Sequence, residues 1–241
     1  MTSVADDKNM TVSVWRGSEA GAFQAFEVPR RASQTVLDVV VWIQQHADPS
    51  LAYRYACRVG MCGSCAMMVN GKPRWTCRTR VQTVGGDQLE IAPLRNLPVI
   101  RDLAVDMTPF FEKWQEAEAV FQPTKTRNQP VQPVLPESDA RLSASAGIEC
   151  INCAVCYAAC DVVAANPDYL GPAALNRAWT LMNDIRDGSE TRLQAVTQNG
   201  GCQNCHAQQG CASFCPNELN PTSSIAGLKR MALWRRFGLG D

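Results

Sequence analysis

Alternating apolar and polar residues near the start of the chain predict two β-strands. One is centred on Val12 and Val14 and the other on Phe26 and Val28, with an apolar residue at every second position, as on a half-buried strand. Asn70-Gly71 lies between two further apolar runs, and this dipeptide is typical of a tight hairpin turn. The N-terminal part of the chain is therefore expected to contain a sheet.

Helical spacing of apolar residues predicts the other elements. Val36, Val40 and Ile43 recur at three- and four-residue intervals behind Ser33, which we expect to cap a helix. Beyond residue 105 the pattern is helical, and three prolines suit first helical turns: Pro109, Pro172 and Pro221. Strands with one crossing helix predict a small mixed domain, followed by a helical region.

A proline-rich segment separates these two regions. Residues 121–146 contain four prolines and little hydrophobic periodicity, as expected of a connection between domains. We predict a first domain over residues 1–106 and a second over 107–241, with the connection at about 121–146. The predicted fold class is α+β.

Composition excludes some functions. The 241 residues include 23 basic and 23 acidic side chains, so no net charge draws the chain onto nucleic acid, and we expect no such partner. The longest uncharged apolar run, Val39 to Ile43, is far shorter than the roughly 18 residues of a membrane span. Asp6 and Asp7 near the start do not fit a secretory signal. The 12 cysteines are therefore expected to be thiolates before disulfides.

Four cysteines in the first domain have the spacing of a 2Fe-2S site. They are Cys57, Cys62, Cys65 and Cys77. In the plant-type pattern a tight loop supplies three thiolates and a separate turn supplies the fourth. Gly60 and Gly63 lie inside the loop, where the missing Cβ atoms let the backbone aim N–H groups at sulfur. The alternative is a zinc site, which is usually built from C-x2-C pairs and fits this spacing poorly.

Cationic residues surround this loop. From Ser50 to Gly86 there is no Asp or Glu. The cations in that stretch are Arg54, Arg58, Lys72, Arg74, Arg78 and Arg80. A 2Fe-2S core with four thiolates is dianionic and gains charge on reduction, so these cations should raise its potential above the roughly −400 mV of plant-type ferredoxins. A solvated basic face or a docking face for an acidic partner explains any single arginine equally well.

The other eight cysteines form two groups. The first group is Cys150, Cys153, Cys156 and Cys160, and the second is Cys202, Cys205, Cys211 and Cys215. In bacterial dicluster sequences the fourth cysteine of each run serves the other cluster. This crossing predicts a 4Fe-4S site held by Cys150, Cys153, Cys156 and Cys215. It predicts a 3Fe-4S site at Cys160, Cys205 and Cys211, because Gln208 replaces the middle cysteine of the last run.

Two alternatives remain for these groups. Cys202 is either a free thiol or displaces Cys205 as a ligand, since the two form another ligand-like pair. Paired structural zinc ions would instead make the chain a binding module without redox function. Zinc does not need the Cys215-Pro216 ending of the last run, which favours iron-sulfur clusters.

With three cysteine spacings in this order, the chain resembles the iron-sulfur subunits of succinate dehydrogenases and fumarate reductases. The matching stretches are YACRVGMCGSCAMMVNGKPRWTC, PVIRDLAVDMTPFF, ECINCAVCYAAC, NPDYLGPAAL and CASFCPNELNP. The resemblance implies an N-terminal 2Fe-2S ferredoxin-like β-grasp domain and an all-α helical ferredoxin domain. It implies a relay of single electrons from an FAD-containing flavoprotein subunit to a quinone beside membrane-anchor subunits. The FAD belongs to the partner only, and the complex is expected on the cytoplasmic face of the inner (plasma) membrane.

Two departures from the family concern the quinone. Asp161 follows Cys160 where succinate:quinone members have proline, and Ala165 stands where they have tryptophan. The stretch ECINCAVCYAAC looks more like the fumarate-reductase-like members, which also lack that tryptophan. His206 matches a family position near the quinone, and as a hypothesis it assists proton delivery. The alternative is that it hydrogen-bonds a backbone carbonyl.

No residue of this chain is expected to be a general acid or base for dicarboxylate chemistry, so we predict no catalytic residue here. The flavoprotein partner would exchange electrons with the substrate, and this chain would place and tune the clusters. An alternative interpretation keeps the clusters in a related flavoprotein dehydrogenase with a different substrate or a soluble acceptor.

Overall fold

The computed structural model describes residues 9–85 and 87–238, which form two compact units. Of the described residues, the first unit comprises 9–85, 87–107 and Ile151–Ala158, and the second comprises Thr108–Cys150 and 159–238. Asp6 and Asp7, on which the expectation about a secretory signal rests, lie outside the described residues. The division into domains over 1–106 and 107–241 stays a prediction.

A mixed five-stranded sheet forms the framework of the first unit. Its strands are β1 (Asn9–Arg16), β2 (Ala22–Pro29), β3 (Ala66–Val69), β4 (Lys72–Trp75) and β5 (Gln88–Ala92). They lie in the order β2-β1-β5-β3-β4, with β1 antiparallel to β2 and parallel to β5. The strands predicted around Val12 and around Phe26 are thus confirmed as β1 and β2.

The Asn70-Gly71 turn joins β3 to β4 as predicted. Val69 pairs with Lys72 across the hairpin, and Asn70 and Gly71 both have positive φ, 47° and 72°. Positive φ at both central residues is what a two-residue turn matching the strand twist requires. The side chain of Asn70 also donates to the carbonyl of Val84 at 2.6 Å, which ties the turn to the chain that precedes β5.

Helix α1 (Val36–His46) packs its apolar residues against the sheet. Val36, Val40 and Ile43 are fully buried there, as the spacing predicts. The prediction that Ser33 caps this helix is wrong, because the N-cap is Thr35. The Thr35 hydroxyl accepts from the backbone N–H of Asp38 at 3.2 Å, and the Asp38 carboxylate accepts from that of Thr35 at 3.0 Å. This reciprocal pair satisfies two backbone donors at once.

The remaining elements are short strands and helices. The strands are β6 (Val99–Arg101) and β7 (Ala104–Val105). The helices are α2 (Val81–Val84), α3 (Thr108–Glu116), α4 (Asp139–Ile148), α5 (Val155–Ala158), α6 (Asp161–Ala165), α7 (Gly171–Met182), α8 (Arg192–Ala195), a 3-10 turn (Cys202–Asn204), α9 (Gly210–Ser213) and α10 (Pro221–Arg236). Pro109, Pro172 and Pro221 lie in the first turns of α3, α7 and α10, as predicted. The α+β class is confirmed.

Three helices form the framework of the second unit. The indole N–H of Trp179 on α7 donates to the carbonyl of Ser143 on α4 at 3.1 Å. A Cβ on Gly227 of α10 would lie 2.3 Å from the Trp179 ring, so that glycine lets α10 approach α7 closely. Helix α4 begins within the proline-rich segment. The Ser138 hydroxyl accepts from the backbone N–H of Arg141 and caps this helix. Across residues 9–85 and 87–238, no helix is both long and apolar enough to span a membrane.

Candidate iron-sulfur sites

The hairpin of β3 and β4 brings two of the first four cysteines together. Cys65 directly precedes β3, and Cys77 comes two residues after β4. Ala66 pairs with Trp75 at the open end of the hairpin. The Thr76 hydroxyl donates to the carbonyl of Cys65 at 2.7 Å. The antiparallel pairing therefore places the loop cysteine and the separate turn cysteine side by side.

The four thiols of this first group converge in the structure. The side chain of Cys62 is hydrogen-bonded to Cys57, and that of Cys77 to Cys65, with Cys57 close enough to interact electrostatically. The Cys57 sulfur accepts backbone N–H groups from Val59 at 3.4 Å and Met61 at 3.2 Å. The loop therefore directs backbone donors at sulfur, as the sequence predicts.

The surroundings of the thiols shift their acidities in opposite directions. Hydrogen bonds from Ser64 and from Cys57 lower the pKa of Cys62 to about 6. Burial, together with the Cys65 thiol, raises the pKa of Cys77 to about 11. The thiolate is the form that binds metal, so exposed Cys62 can supply it near neutral pH. Buried Cys77 would need a bound cation to hold its negative charge.

Gly60 has a left-handed backbone conformation and a close contact that glycine tolerates best. Its φ is +76°, and a Cβ there would lie 2.9 Å from the ring of Trp75 and 3.1 Å from Cγ of Arg78. The cysteine loop is therefore pressed onto Trp75 with a cationic side chain beside it. Of the six cations near the loop, Arg54, Arg58, Lys72, Arg78 and Arg80 are exposed, and Arg74 is half-buried.

The second cysteine group is divided between the two units. Cys153 and Cys156 lie in the first unit, where two side chains hold helix α5 by its carbonyls. Arg95 donates to the carbonyl of Ala158 at 3.2 Å, and Asn96 donates to that of Tyr157 at 2.9 Å.

Cys150 and Cys215 lie in the second unit. The side chain of Asn217 donates to the carbonyl of Glu149 at 2.6 Å. This hydrogen bond links the two segments that carry Cys150 and Cys215, which are far apart in sequence.

Three thiols of the second unit line one small cavity: Cys160, Cys205 and Cys211. Gln208 and His206 line it as well, so the glutamine that replaces the middle cysteine of the last run lies at the same cavity as the three thiols. Within the described ranges 9–85 and 87–238, no group of three or more His, Cys, Asp or Glu side chains is arranged to hold a single metal ion.

Each of the three sulfurs in this cavity receives hydrogen-bond donors. The Cys160 sulfur accepts from the backbone N–H groups of Val162 and Val163 at the start of α6. Cys205 accepts from the N–H of Ala207 at 3.4 Å, and Cys211 lies 3.3 Å from the hydroxyl of Thr222. Burial raises the pKa values of Cys160 and Cys211. The donor set suits partly buried anionic sulfur.

Cys202 has a different environment from its neighbour Cys205. It is fully buried, begins the 3-10 turn and does not line the cavity that Cys205 lines. Burial raises the pKa of Cys202. The carbonyl of Cys205 accepts from the ammonium group of Lys229 at 2.7 Å, which fixes the backbone at the lining cysteine.

Sequence reasoning assigned no role to Tyr169, which the structure places beside these thiols. Burial raises its pKa, and its hydroxyl is hydrogen-bonded to the side chain of Cys205. The residue lies within the stretch NPDYLGPAAL, but no local signal distinguishes it from a tyrosine of the core. His206 is exposed and lines the cavity, and Asp161 and Ala165 are the first and last residues of α6.

Comparison with known proteins divides the chain in the same way. A family described as a 2Fe-2S iron-sulfur cluster binding domain matches residues 11–112, and a 4Fe-4S dicluster domain family matches residues 149–220. Between them these matches contain all 12 cysteines. The zinc-module alternative is therefore not supported.

Curated relatives match over most of the chain. The fumarate reductase iron-sulfur subunit of Escherichia coli O6:H1 is 34% identical over 92% of both chains, and that of Mycobacterium tuberculosis is 36% identical over 92% of both. The mitochondrial succinate dehydrogenase [ubiquinone] iron-sulfur subunit 1 of Oryza sativa subsp. japonica is 37% identical over 82% of this chain and 71% of its own.

A solved structure agrees with these relatives. A chain of the Mycobacterium smegmatis Sdh1 complex in the apo form superposes with a TM-score of 0.86 at 28% identity, over 96% of this chain and 98% of that one. The order of the two cluster-binding domains, the identity of 34–37% over most of the chain and the shared fold lead to one conclusion. The chain belongs to the iron-sulfur subunits of succinate dehydrogenases and fumarate reductases, the electron-transfer components of these oxidoreductases.

Proposed function

We propose that this chain passes single electrons between an FAD-containing flavoprotein subunit and a quinone, using a 2Fe-2S, a 4Fe-4S and a 3Fe-4S cluster. Such clusters supply one-electron carriers whose potentials depend on charge, hydrogen bonds to sulfur and burial. The observation that carries the proposal is the lining of one cavity by Cys160, Cys205 and Cys211, with Gln208 in place of a fourth thiol.

The proposed ligand sets follow the cysteine groups. The 2Fe-2S cluster is held by Cys57, Cys62, Cys65 and Cys77, the 4Fe-4S cluster by Cys150, Cys153, Cys156 and Cys215, and the 3Fe-4S cluster by Cys160, Cys205 and Cys211. The convergence of the first four thiols supports the first set. The Asn217–Glu149 hydrogen bond supports pairing Cys215 with Cys150 in the second. The burial of Cys202 away from the cavity favours Cys205 as the ligand in the third.

The protein's own contribution is to hold and tune the sulfur atoms. Backbone N–H groups of Val59, Met61 and Ala207 donate to ligand sulfurs, which stabilises added negative charge. The exposed cations around the first loop also stabilise added negative charge on the cluster. No side chain of this subunit is assigned acid-base work on the dicarboxylate, which we assign to the flavoprotein partner.

We place the quinone near His206. This side chain is exposed and lines the same cavity as the three thiols of the second unit, so a proton carrier there would lie next to the last electron carrier. Substitution His206→Ala is expected to slow quinone turnover and to weaken inhibitor binding. His46→Ala is the matched control, because His46 stacks on Trp42 in the first unit at 5.0 Å. Unchanged turnover and inhibitor binding in His206→Ala would remove the proton role.

Membrane-anchor subunits are proposed as the second partner, on the cytoplasmic face of the inner (plasma) membrane. The end of α10 exposes Leu233, Trp234 and Phe237 beside two cations, Arg235 and Arg236. An exposed apolar group edged by cations suits contact with an anchor protein at an anionic membrane surface. Membrane fractionation of cells with and without the anchor subunits tests this placement.

Electron paramagnetic resonance of the anaerobically purified complex, combined with redox titration, tests the proposed function. We expect three cluster signals, one of them present in the oxidised sample as for 3Fe-4S, and about nine irons per chain from the ligand sets. A flavoprotein subunit should co-purify and support succinate–quinone or fumarate–quinol turnover. A colourless protein containing zinc and no acid-labile sulfide would contradict the cluster assignment. Clusters with a soluble acceptor and no quinone activity would instead favour a related dehydrogenase.

A further inference from the structure

Tyr169 is a buried tyrosine whose polar end faces a proposed cluster ligand. Its side chain is about 1% exposed, and it lines the cavity that Cys160, Cys205 and Cys211 share. Its hydroxyl is hydrogen-bonded to the side chain of Cys205. A thiolate has no proton to donate, so the phenol O–H is the donor when Cys205 is a ligating thiolate.

The backbone around Tyr169 is fixed relative to Cys205. The N–H of Tyr169 donates to the carbonyl of Asn166 at 3.1 Å, and the side chain of Asn166 donates to that of Asn204 at 3.2 Å. Asn204 directly precedes Cys205. These bonds tie the turn that carries the phenol to the chain that carries the sulfur.

A close backbone contact adds to this rigidity. Gly200 has φ +81°, and a Cβ there would lie 2.0 Å from the carbonyl oxygen of Asp168. The N–H of Leu170 donates to the carbonyl of Gly200 at 2.8 Å. The backbone is therefore held on both sides of Tyr169, and burial confines the phenol that this backbone carries.

We propose that Tyr169 donates a hydrogen bond to the Cys205 sulfur and thereby raises the reduction potential of the cluster held by Cys160, Cys205 and Cys211. The inference rests on the proposed function, since it concerns one of the proposed ligands. Donation to a ligating sulfur offsets its negative charge and favours the state with one more electron. Tyr169 acts through Cys205 and is a positioning residue, and its donation adds to that of the backbone N–H of Ala207 at 3.4 Å.

The test is a redox titration of the purified complex, monitored by electron paramagnetic resonance, with Tyr169→Phe. At the wild-type midpoint of the 3Fe-4S signal, the ratio of reduced to oxidised cluster is expected to fall about three- to tenfold, because tenfold corresponds to 59 mV for one electron. The midpoint of the 2Fe-2S signal should not move. An unmoved 3Fe-4S midpoint at full signal intensity would overturn the role of Tyr169.

A matched control is available in the first unit. Tyr53 donates its hydroxyl to the side chain of Gln44 at 2.9 Å, so Tyr53→Phe also removes one hydrogen-bonded phenol. It should leave the 3Fe-4S midpoint unchanged. An equal shift in both variants would show that loss of any hydrogen-bonded tyrosine hydroxyl produces the effect, and this outcome would also overturn the inference.

A second substitution keeps the test valid if Tyr169→Phe fails to assemble. Fluorotyrosine at position 169 retains the ring and makes the hydroxyl a stronger donor, so the 3Fe-4S midpoint should rise. A lower or unchanged midpoint would contradict the proposal. Absence of a 3Fe-4S signal from the wild-type complex would overturn the ligand assignment itself, whereas a normal wild-type signal that is insensitive to both substitutions overturns only the role of Tyr169.

Discussion

Gly63 lies directly against Cys153. A Cβ on Gly63 would come within 2.5 Å of Cβ and 2.8 Å of Cα of Cys153. Both residues belong to the first unit. Gly63 is in the loop of the first cysteine group, and Cys153 is in the second group. Two proposed ligand groups therefore touch through backbone, at a point where only glycine fits.

Gly63→Ala is expected to cost much more stability than the same change at Gly71. Both glycines have left-handed φ, +69° and +72°, but a Cβ on Gly71 meets nothing within 4 Å. Backbone strain costs about 1–2 kcal/mol at either position. At Gly63 a clash with the Cys153 backbone adds about 1–3 kcal/mol. Thermal unfolding and iron content of the two variants measure the difference, and equal values would refute the close contact.

Loss of the buried Arg192–Asp187 ion pair is expected to destabilise the second unit by about 3–5 kcal/mol. Both side chains are about 1% exposed, and Arg192 also donates to the carbonyls of Glu118 at 2.9 Å and Val120 at 2.8 Å. In Arg192→Ala the Asp187 carboxylate keeps the backbone N–H groups of Gln122 and Ser189 but loses its cation, and the two carbonyls lose the arginine donor. Denaturant unfolding provides the measurement.

The more exposed pair Arg186–Asp184 provides the control for that experiment. Its arginine side chain is 44% exposed, with 2.6 Å between the charged atoms. Surface pairs contribute about 0–1 kcal/mol, so Arg186→Ala should change little. If Arg186→Ala lowered the free energy of unfolding as much as Arg192→Ala, burial of the ion pair would not explain the loss of stability.

Asp102 should make the stability of the first unit sensitive to acid. Burial alone would raise its pKa, but the backbone N–H groups of Gly17 and Ala52 and the guanidinium of Arg16 outweigh burial and lower it. A lowered native pKa means that the stabilisation is complete above the ordinary value of 3.8 and is lost as the pH falls through the native pKa.

The variant Asp102→Asn tests this dependence. It should cost about 2 kcal/mol at pH 7, since Gly17 and Arg16 donate to one carboxylate oxygen and Ala52 to the other, whereas an amide has one acceptor oxygen and an NH2 group that would face a donor. The difference from wild type in denaturant midpoint should stay constant from pH 8 to about pH 5 and narrow towards pH 3 and below. A difference that grows as the pH falls would contradict the assignment.

Cys202→Ala and Cys205→Ala should separate the two interpretations of that pair. Cys202 is buried away from the cavity that Cys205 lines. We therefore expect Cys202→Ala to retain the 3Fe-4S signal and the wild-type iron content. Cys205→Ala should lose the signal, because only two thiols would remain in the cavity. The opposite result would make Cys202 the ligand.

Local sequence was enough to predict several elements. The Asn70-Gly71 turn, the first-turn prolines and the alternation in β1 and β2 depend on the conformations of neighbouring residues, which the chain carries wherever it folds. The N-cap of α1 shows that a local sequence signal can depend on one neighbouring residue. Ser33 and Thr35 are both good capping residues, but only Thr35 has an acidic residue, Asp38, three positions later to complete the reciprocal pair.

The sequence by itself determined the chemistry of this protein. The spacing of the cysteines and the glycines beside them define which iron-sulfur clusters a short loop can hold, because local bond geometry limits how a short loop can bend around a cluster. The tertiary structure alone decided which distant residues surround those cysteines. The contacts of Gly63 with Cys153 and of Tyr169 with Cys205 join residues 90 and 36 positions apart. No local periodicity encodes such pairings, because they arise only when separate segments pack together and exclude water from the polar groups they share.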